Sequence, residues 1–540
     1  MKNFLISLLF LIPGVLPAQP VYDVVVYGGT PAGVMAAIQV ARMGQTVALL
    51  EPGRHLGGIM VEGLGGTDID NHQEFQNSPA VGGLALEFYR RIAKAYGRSD
   101  EFEQVLRSKA KKPDIWRFEP HVAEQILLDW VAEHKIGIAY ESRLLEMKDA
   151  VLKKGTAIQQ IKLENGQTYR AKVFIDATIE GDLLNAAGIS TVIGRESNAT
   201  YGEAKNGIQA VTDHAQFLVK VDPYRVMGDP TSGVIPTIQN EPLGTPGDGD
   251  QHLQAYCFRM CLTKNPTNRI PFPKPEVYQR EQYEIYLRYL KAGGKLYRPR
   301  VDIPNGKTDL GAWHDLSHNL YGMNMAYPGG NYATRQTVLA QHRQFTQGLF
   351  YFLANDEEVG RLAPDLQKEW TLWGLSKDEF TDNGGWPRLF YVRDARRMVS
   401  DYVITEHHVR KGNPPPVPDP VAVAYWPPDI HSVRRIVKDG YAYNEGSVFR
   451  DNTWQPFGIS YRALIPKASE CTNLLTASCP SSSHIAYGAI RIEFTFMALG
   501  QACGTAAVLA NQKRVTVQAV NQKELKDKLL ADGQLLSLNN

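Results

Sequence analysis

The sequence predicts an α/β protein whose parallel sheet is interrupted by a large, loop-rich α+β insertion. Three observations predict it. Residues 21–52, VYDVVVYGGTPAGVMAAIQVARMGQTVALLEP, read as strand, glycine turn, helix and strand. Buried strands return at 173–178 (VFIDAT) and, nearly the whole chain later, at 473–478 (NLLTAS). Across 201–455, Pro, Trp and Tyr become dense and the helical rhythm is lost, as in PTSGVIPTIQNEPLGTPGDGD and NPPPVPDPVAVAYWPPDI.

Each element has a local reason. Residues 22–27 (YDVVVY) are largely apolar, as a strand covered on both faces must be. Residues 33–43 (GVMAAIQVARM) are small and apolar with helical period, and Gly44 suits the helix end. Residues 46–50 (TVALL) form a second buried strand, which completes a Rossmann-like β-α-β unit. Its turn, GGTPAG, departs from the G-x-G-x-x-G rule at Thr30. A phosphate at a helix N-terminus needs N–H groups aimed at it and no side chain in the way. Gly28 closes the turn, and Gly33 lets the helix pack on the strand. Gly29 offers bare backbone one residue early, in place of Thr30. Pro31 sits where a helix start tolerates proline. Glu51 lies 18 residues after Gly33, where a carboxylate accepts hydrogen bonds from a ribose diol.

Residues 121–135 read as an amphipathic helix. Asn165-Gly166 marks a hairpin between apolar positions Ile158, Ile161 and Leu163 and the following Tyr169. After NLLTAS, a long apolar helix is expected around IRIEFTFMALGQACGTAAVLAN. Gly500, Ala502, Gly504 and Ala506 allow it to pack closely on a neighbour. The organisation that follows is a first nucleotide-binding part over 22–200 and a substrate or cap insertion over 201–455. A C-terminal return over 456–512 and a helical tail over 513–540 complete it.

Which dinucleotide binds is read beyond the turn. PGRHLGGIM follows Glu51, so Gly57-Gly58 lie just past the acid. FAD is longer than NAD and runs its flavin end past further backbone, which this second bare stretch suits. Ala177-Thr178 and Gly181-Asp182 add another such contact after the strand at 173–178. These motifs resemble the glutathione-reductase-type FAD-binding fold. The mature chain as a whole resembles the bacterial FAD-dependent oxidoreductase family whose members are often labelled xanthan-lyase-like. AYCFRMCLT (255–263), RDARRMVSDYVIT (393–405), FGISYRALIPK (457–467) and SSSHIAYGAIRIEFTFMALGQACGTAA (481–507) carry that resemblance. It implies FAD and redox chemistry. It also implies that the late strand, loop and helix return to the first domain, where a helix N-terminus stabilises negative charge on reduced flavin.

Cofactor contacts are accordingly expected from Gly28, Gly29, Pro31, Ala32, Gly33, Glu51, Pro52, Gly57, Gly58, Ala177, Thr178, Gly181, Asp182, Gly488 and Ile490. The catalytic candidates are His484, Arg491 and Arg259. His484 is expected in a polar loop before the last helix, as an acid/base. Arg491 and Glu493 read as an ion pair at the helix start. Arg259, in an apolar stretch, needs a carboxylate, a carbonyl or the flavin edge as partner. Arg393, Arg396 and Arg397 offer charge to an anionic substrate, and Tyr461-Arg462 is a candidate pocket border.

Composition bounds the rest. A net charge of +1, without basic runs, gives no reason to expect a nucleic-acid partner. Five cysteines without a C-x-x-C pair support neither a disulfide framework, nor iron–sulfur ligation, nor zinc, and no metal is expected. Cys257 and Cys261, about 13 Å apart on a strand, are too far apart to bridge. Residues 1–18, with Lys2, an apolar run from Phe4 to Ile12 and a cleavage site at Leu16-Pro17-Ala18, read as a signal peptide. The expected location is therefore periplasmic or secreted. No membrane span is expected. The function expected is an FAD-dependent dehydrogenase or oxidase acting on a small polar, sugar-like substrate. No second glycine turn opens a helix, so the electron acceptor is oxygen, a quinone or a carrier. A polysaccharide lyase or hydrolase and a non-catalytic flavin carrier are the alternatives.

Overall fold

The computed structural model describes residues 20–449 and 453–538. The signal peptide expected over 1–18 lies outside them. The central sheet is built from β1 (Val21–Tyr27), β2 (Val47–Leu50), β3 (Gly137–Ala139), β6 (Thr168–Asp176) and β7 (Leu474–Thr476). All five are parallel, in the order β3-β2-β1-β6-β7. Their register aligns Leu50 and Asp176 with Tyr27, Ala139 with Leu50, and Thr476 with Asp176. Every strand thus ends at one level, and the five following segments emerge at one edge. The chain steps one way from β1 to β2 and β3, then the other way to β6, and the crevice at such a reversal is where open α/β sheets bind ligands. β1 and β2 pair through an apolar run buried on both faces, as the sequence requires.

β4 (Val151–Lys154) and β5 (Ala157–Lys162) extend the sheet as antiparallel strands. β5 meets β6 antiparallel at Ile161↔Tyr169, across the Asn165-Gly166 turn in which Gly166 takes φ +82°. The hairpin is where its sequence puts it.

Helix α1 (Pro31–Arg42) packs under the sheet against the long C-terminal helix α5 (Glu493–Lys513) and against α2 (Pro120–Glu133). Small residues set the first distance. A Cβ on Gly500 would stand 2.0 Å from the Ala32 carbonyl oxygen, and one on Gly504 2.6 Å from that of Ala36. By length and composition α5 could cross a membrane, but it is buried in this core.

Two features differ from the sequence expectation. The single helix expected around 490–511 is two, a short α4 (His484–Ile490) and α5, separated by Arg491 and Ile492. Ile492 is extended (φ −81°, ψ 138°), so the chain turns there and presents Arg491 and Glu493 to the site. His484 is therefore not in a loop. It is the first residue of α4, and Ser483 Oγ caps that helix by accepting the Ala486 N–H. The second difference lies in the insertion, which carries a 24-residue helix, α3 (Tyr332–Asn355). Its buried stripe is Val338, His342, Phe345, Leu349 and Phe352, a regular helical spacing. The histidine hides it. Burial holds the His342 pKa down to about 4, so a neutral ring occupies an apolar position. The insertion builds its own aromatic core from residues such as Tyr286, Phe350, Trp370 and Trp386.

Candidate active site

A cavity opens at the carboxyl edge of the sheet. One end is made by the turns after β1, β2 and β6. Gly28 donates its N–H to the Leu50 carbonyl (2.8 Å). It takes φ +108°, and a Cβ there would meet Ala177 C and Thr178 N at 2.7 Å, so only glycine fits. Gly33 is closer still, its virtual Cβ 1.9 Å from the Gly28 oxygen.

Thr30 is not a defect that Gly29 offsets. It is the N-cap of α1, its Oγ1 accepting the Gly33 N–H (3.3 Å) while donating to the Ala177 carbonyl (2.7 Å). One hydroxyl caps the helix and ties the β1 turn to the β6 turn. Gly29 has another task. Its N–H goes to Glu51 Oε2 (2.7 Å), and its carbonyl accepts the Gly57 N–H (2.7 Å). Glu51 Oε1 also accepts the Gly53 N–H (2.5 Å). Burial, opposed by these N–H groups, pushes the Glu51 pKa up to about 7. The carboxyl still faces the cavity, with acceptor capacity left for a ligand hydroxyl.

The other end is built from charged and aromatic side chains. Arg388 donates its N–H to Glu62 Oε2 (2.6 Å) and its guanidinium to Asp382. Arg491 donates to the Tyr391 hydroxyl (2.7 Å), the Asp429 carbonyl (2.8 Å) and Asp429 Oδ2 (3.0 Å). It is therefore not the partner of Glu493. Glu493 is 4% exposed, lines the cavity and, among the described residues, forms no ion pair, its own backbone N–H being its hydrogen-bond partner. Burial, with Asp68 nearby, pushes its pKa up to about 8. A protonated carboxyl thus faces the cavity at neutral pH.

Of the expected residues, Gly28, Pro31, Ala32, Glu51, Pro52, Gly58, Thr178, Asp182 and Arg491 line the cavity. Gly29, Gly33, Gly57, Ala177, Gly181, Gly488 and Ile490 stand behind it, because they shape the backbone or pack on neighbours. Gly181, for example, takes φ +68° to start a short helix, and Gly488 lies against Ile430. His484 does not line the cavity either. It is 1% exposed, with Nδ1 3.3 Å from Asp394 Oδ2. Arg259 lies off the lining too and pairs with Asp309 (2.6 Å). Arg396 and Arg397 are structural, held by Glu180 and Asp182 and by Glu196. Tyr461 is buried on Val517 and Arg462 pairs with Asp419. Sequence reasoning missed Glu62, Arg388 and Tyr391, and it read Glu493 only as an ion-pair partner. No local signal marks them, since segments hundreds of residues apart bring them together.

A parallel sheet with a glycine cradle and a capped helix at its reversal point, opening into a pocket, is the arrangement of a dinucleotide-binding protein. The cradle fits FAD on the structure's own terms, because the Gly28–Ala32 turn at the start of α1, Glu51, Gly58 and Thr178 all face one cavity, with carboxyl acceptor capacity left at Glu51. The chain belongs to the FAD dependent oxidoreductase family, whose model matches residues 23–529. No curated protein matches it. Local similarity extends to solved structures. Thioredoxin reductase of T. acidophilum is 19% identical, over 30% of this chain and 36% of that one (TM-score 0.18). PqsL, a probable FAD-dependent monooxygenase from Pseudomonas aeruginosa, is 19% identical over 31% and 46% (TM-score 0.20). L-proline dehydrogenase from P. horikoshii is 18% identical over 33% and 59% (TM-score 0.23). The match spans less than two thirds of each of these chains.

Proposed function

We propose that the protein is an exported dehydrogenase or oxidase that takes a hydride from a small, polar, uncharged substrate, with sugars the first class to try. The observation that carries this reading is the partnering at the deep end. Arg388 and Arg491 are already paired with carboxylates and Arg393 is held by two carbonyls, Asn319 and Cys257, while Glu493 forms no ion pair and its pKa is pushed up to about 8. A substrate hydroxyl or amine finds a proton-handling group there. A substrate carboxylate finds Glu493 and Glu62, whose pKa burial raises to about 7.

FAD supplies a two-electron hydride acceptor when bound, held by the Gly28–Ala32 turn, Glu51, Gly58 and Thr178. The residues do the rest. Glu493, once ionised, takes the substrate hydroxyl proton as the adjacent C–H bond breaks. Arg491 fixes the Tyr391 hydroxyl, which lends a second hydrogen bond for orientation. Tyr327, Phe390 and Tyr391 give the pocket aromatic walls that exclude water and cover the C–H face of a sugar ring. The insertion's density of Trp is mainly core packing, with Trp370, Trp373 and Trp386 all buried, so composition is no argument for sugars. Electrons leave to oxygen, a quinone or a carrier.

Anaerobic bleaching of the purified yellow protein by sugars, polyols, amines and hydroxy acids tests the reading. Bleaching by a neutral member is expected. Bleaching by anionic members alone would overturn the substrate class, and a colourless protein that cleaves polysaccharide would overturn the reaction. Recovery of a chain starting after Ala18 from the periplasm or medium tests export.

A further inference from the structure

Arg393 differs from the other arginines of the deep end. It lines the cavity, is 1% exposed and, among the described residues, pairs with no carboxylate. Its guanidinium donates to the carbonyls of Ala255 and Ala312 (2.9 Å for the latter), to Asn319 Oδ1 (3.1 Å) and to Cys257 Sγ (3.3 Å). Its Nε has no partner. Asp394, next in the chain, faces His484 instead. A buried guanidinium without an anion is costly, and the same low dielectric makes its field strong at any charge nearby.

We propose that Arg393 answers the negative charge formed on the cofactor when it is reduced, and that Cys257, whose Sγ lies 3.3 Å from the guanidinium, competes for it. This rests on the flavin reading above. A hydride brings one proton and two electrons, so its arrival leaves the ring system with one additional negative charge. The substrate is oxidised by two electrons, and its hydroxyl proton leaves to Glu493.

The surroundings favour this competition. Burial opposes ionisation of Cys257, but the Arg393 charge, with His318 and Arg259, outweighs it and brings the thiol down to about 6. Other charges near the pair are spoken for. Arg259 is answered by Asp309, and burial with Arg393 and Arg491 holds His431 well below its usual value. His318 is engaged by Tyr297 and the Phe258 carbonyl, and Tyr391 by Arg491. Below about pH 6 Cys257 is a thiol and Arg393 is uncompensated, whereas above it the thiolate takes part of its charge.

Sulfite is the probe. It adds to the flavin ring through a new sulfur–nitrogen bond, leaves one negative charge on the ring and bleaches the colour. In the FAD-loaded protein, Arg393→Met is expected to weaken sulfite binding by about tenfold or more, the loss of one charge-assisted contact. Arg393→Lys keeps the charge and falls between. Cys257→Ala is expected to bind sulfite more tightly than the parent, with the difference opening above about pH 6. Midpoint potentials by dye equilibration follow the same order, Arg393→Met below the parent and Cys257→Ala above it. A yellow Arg393→Met protein with parental sulfite affinity and potential would overturn the assignment. Parent and Cys257→Ala curves that superimpose at every pH would overturn the competition. If Arg393→Met does not fold, the lysine and alanine variants decide both points. A protein that never retains FAD refutes the flavin reading itself, an outcome distinct from either.

Discussion

The two ends of the cavity are built on opposite principles. At the nucleotide end the contacts are backbone: Gly28, Gly33 and the capped start of α1 shape a cradle in which side chains are excluded. At the other end nearly everything is side chain, with Arg388, Tyr391, Arg491 and Glu493 contributed by two stretches about a hundred residues apart. A cradle of backbone tolerates no added atom but needs no charge. A pocket of paired charges tolerates volume changes but not the loss of one partner. In the function proposed above, the first would hold a cofactor common to many reactions and the second would select the substrate.

The contrast breaks hardest at Gly33. Gly33→Val forces a side chain where even a Cβ stands 1.9 Å from the Gly28 oxygen. The expected outcome is a protein without flavin absorbance, destabilised by about 3 kcal/mol or more in urea. Arg491→Met should do the reverse. It leaves Asp429 and Tyr391 without their partner, at a cost of about 3 kcal/mol, yet FAD is retained because the cradle is untouched. Loss of flavin from this variant would mean that the two ends are one unit. Thr30→Ala removes the cap and the tie to Ala177 for about 1 kcal/mol. Thr30→Gly, which restores the usual glycine spacing, should also be less stable than the parent, because it loses the same tie.

A further effect concerns Glu493 and is read against pH. In the unfolded chain this group ionises near its ordinary value of 4.5, and in the fold only near 8. Between these values the folded state binds more protons than the unfolded one, so this group's contribution makes stability fall as pH rises. Glu493→Gln removes that slope. Its apo-protein should match the parent's Tm near pH 5 and exceed it by about 2 °C or more near pH 8. A parallel pH dependence in parent and variant would show that Glu493 is already ionised at neutral pH.

The same contrast decides how much of the molecule could be read in advance. The cradle was legible because its parts are consecutive: strand, turn and helix follow a local steric logic, and Glu51 lies one strand further on. Even there, the sequence reading took Thr30 for a gap to be offset, since a hydroxyl that caps a helix and bonds a strand 147 residues away carries no local signature. The helix at Tyr332–Asn355 escaped because a histidine occupies one of its core positions. His484 is a polar residue just before a long helix in the sequence but interior in the fold, whereas Glu493 lies two residues from Arg491 in the chain without being its partner. Proximity misled there because the extended Ile492 turns the chain, so that Arg491 reaches Asp429 while Glu493 faces the cavity.

By itself, then, the sequence determined the parallel sheet, the glycine cradle and FAD as the cofactor it suits, while the return of the last strand and helix to the first domain was implied by the family resemblance. Apolar runs, glycine positions and small-residue spacing act over a few residues, so a linear reading captures them. Only the tertiary structure decided which charges are satisfied. Whether Arg491, Arg259, Arg393 or Glu493 has a partner depends on segments brought together from across the chain. In a buried site, the presence or absence of that partner separates a structural ion pair from a group free to act.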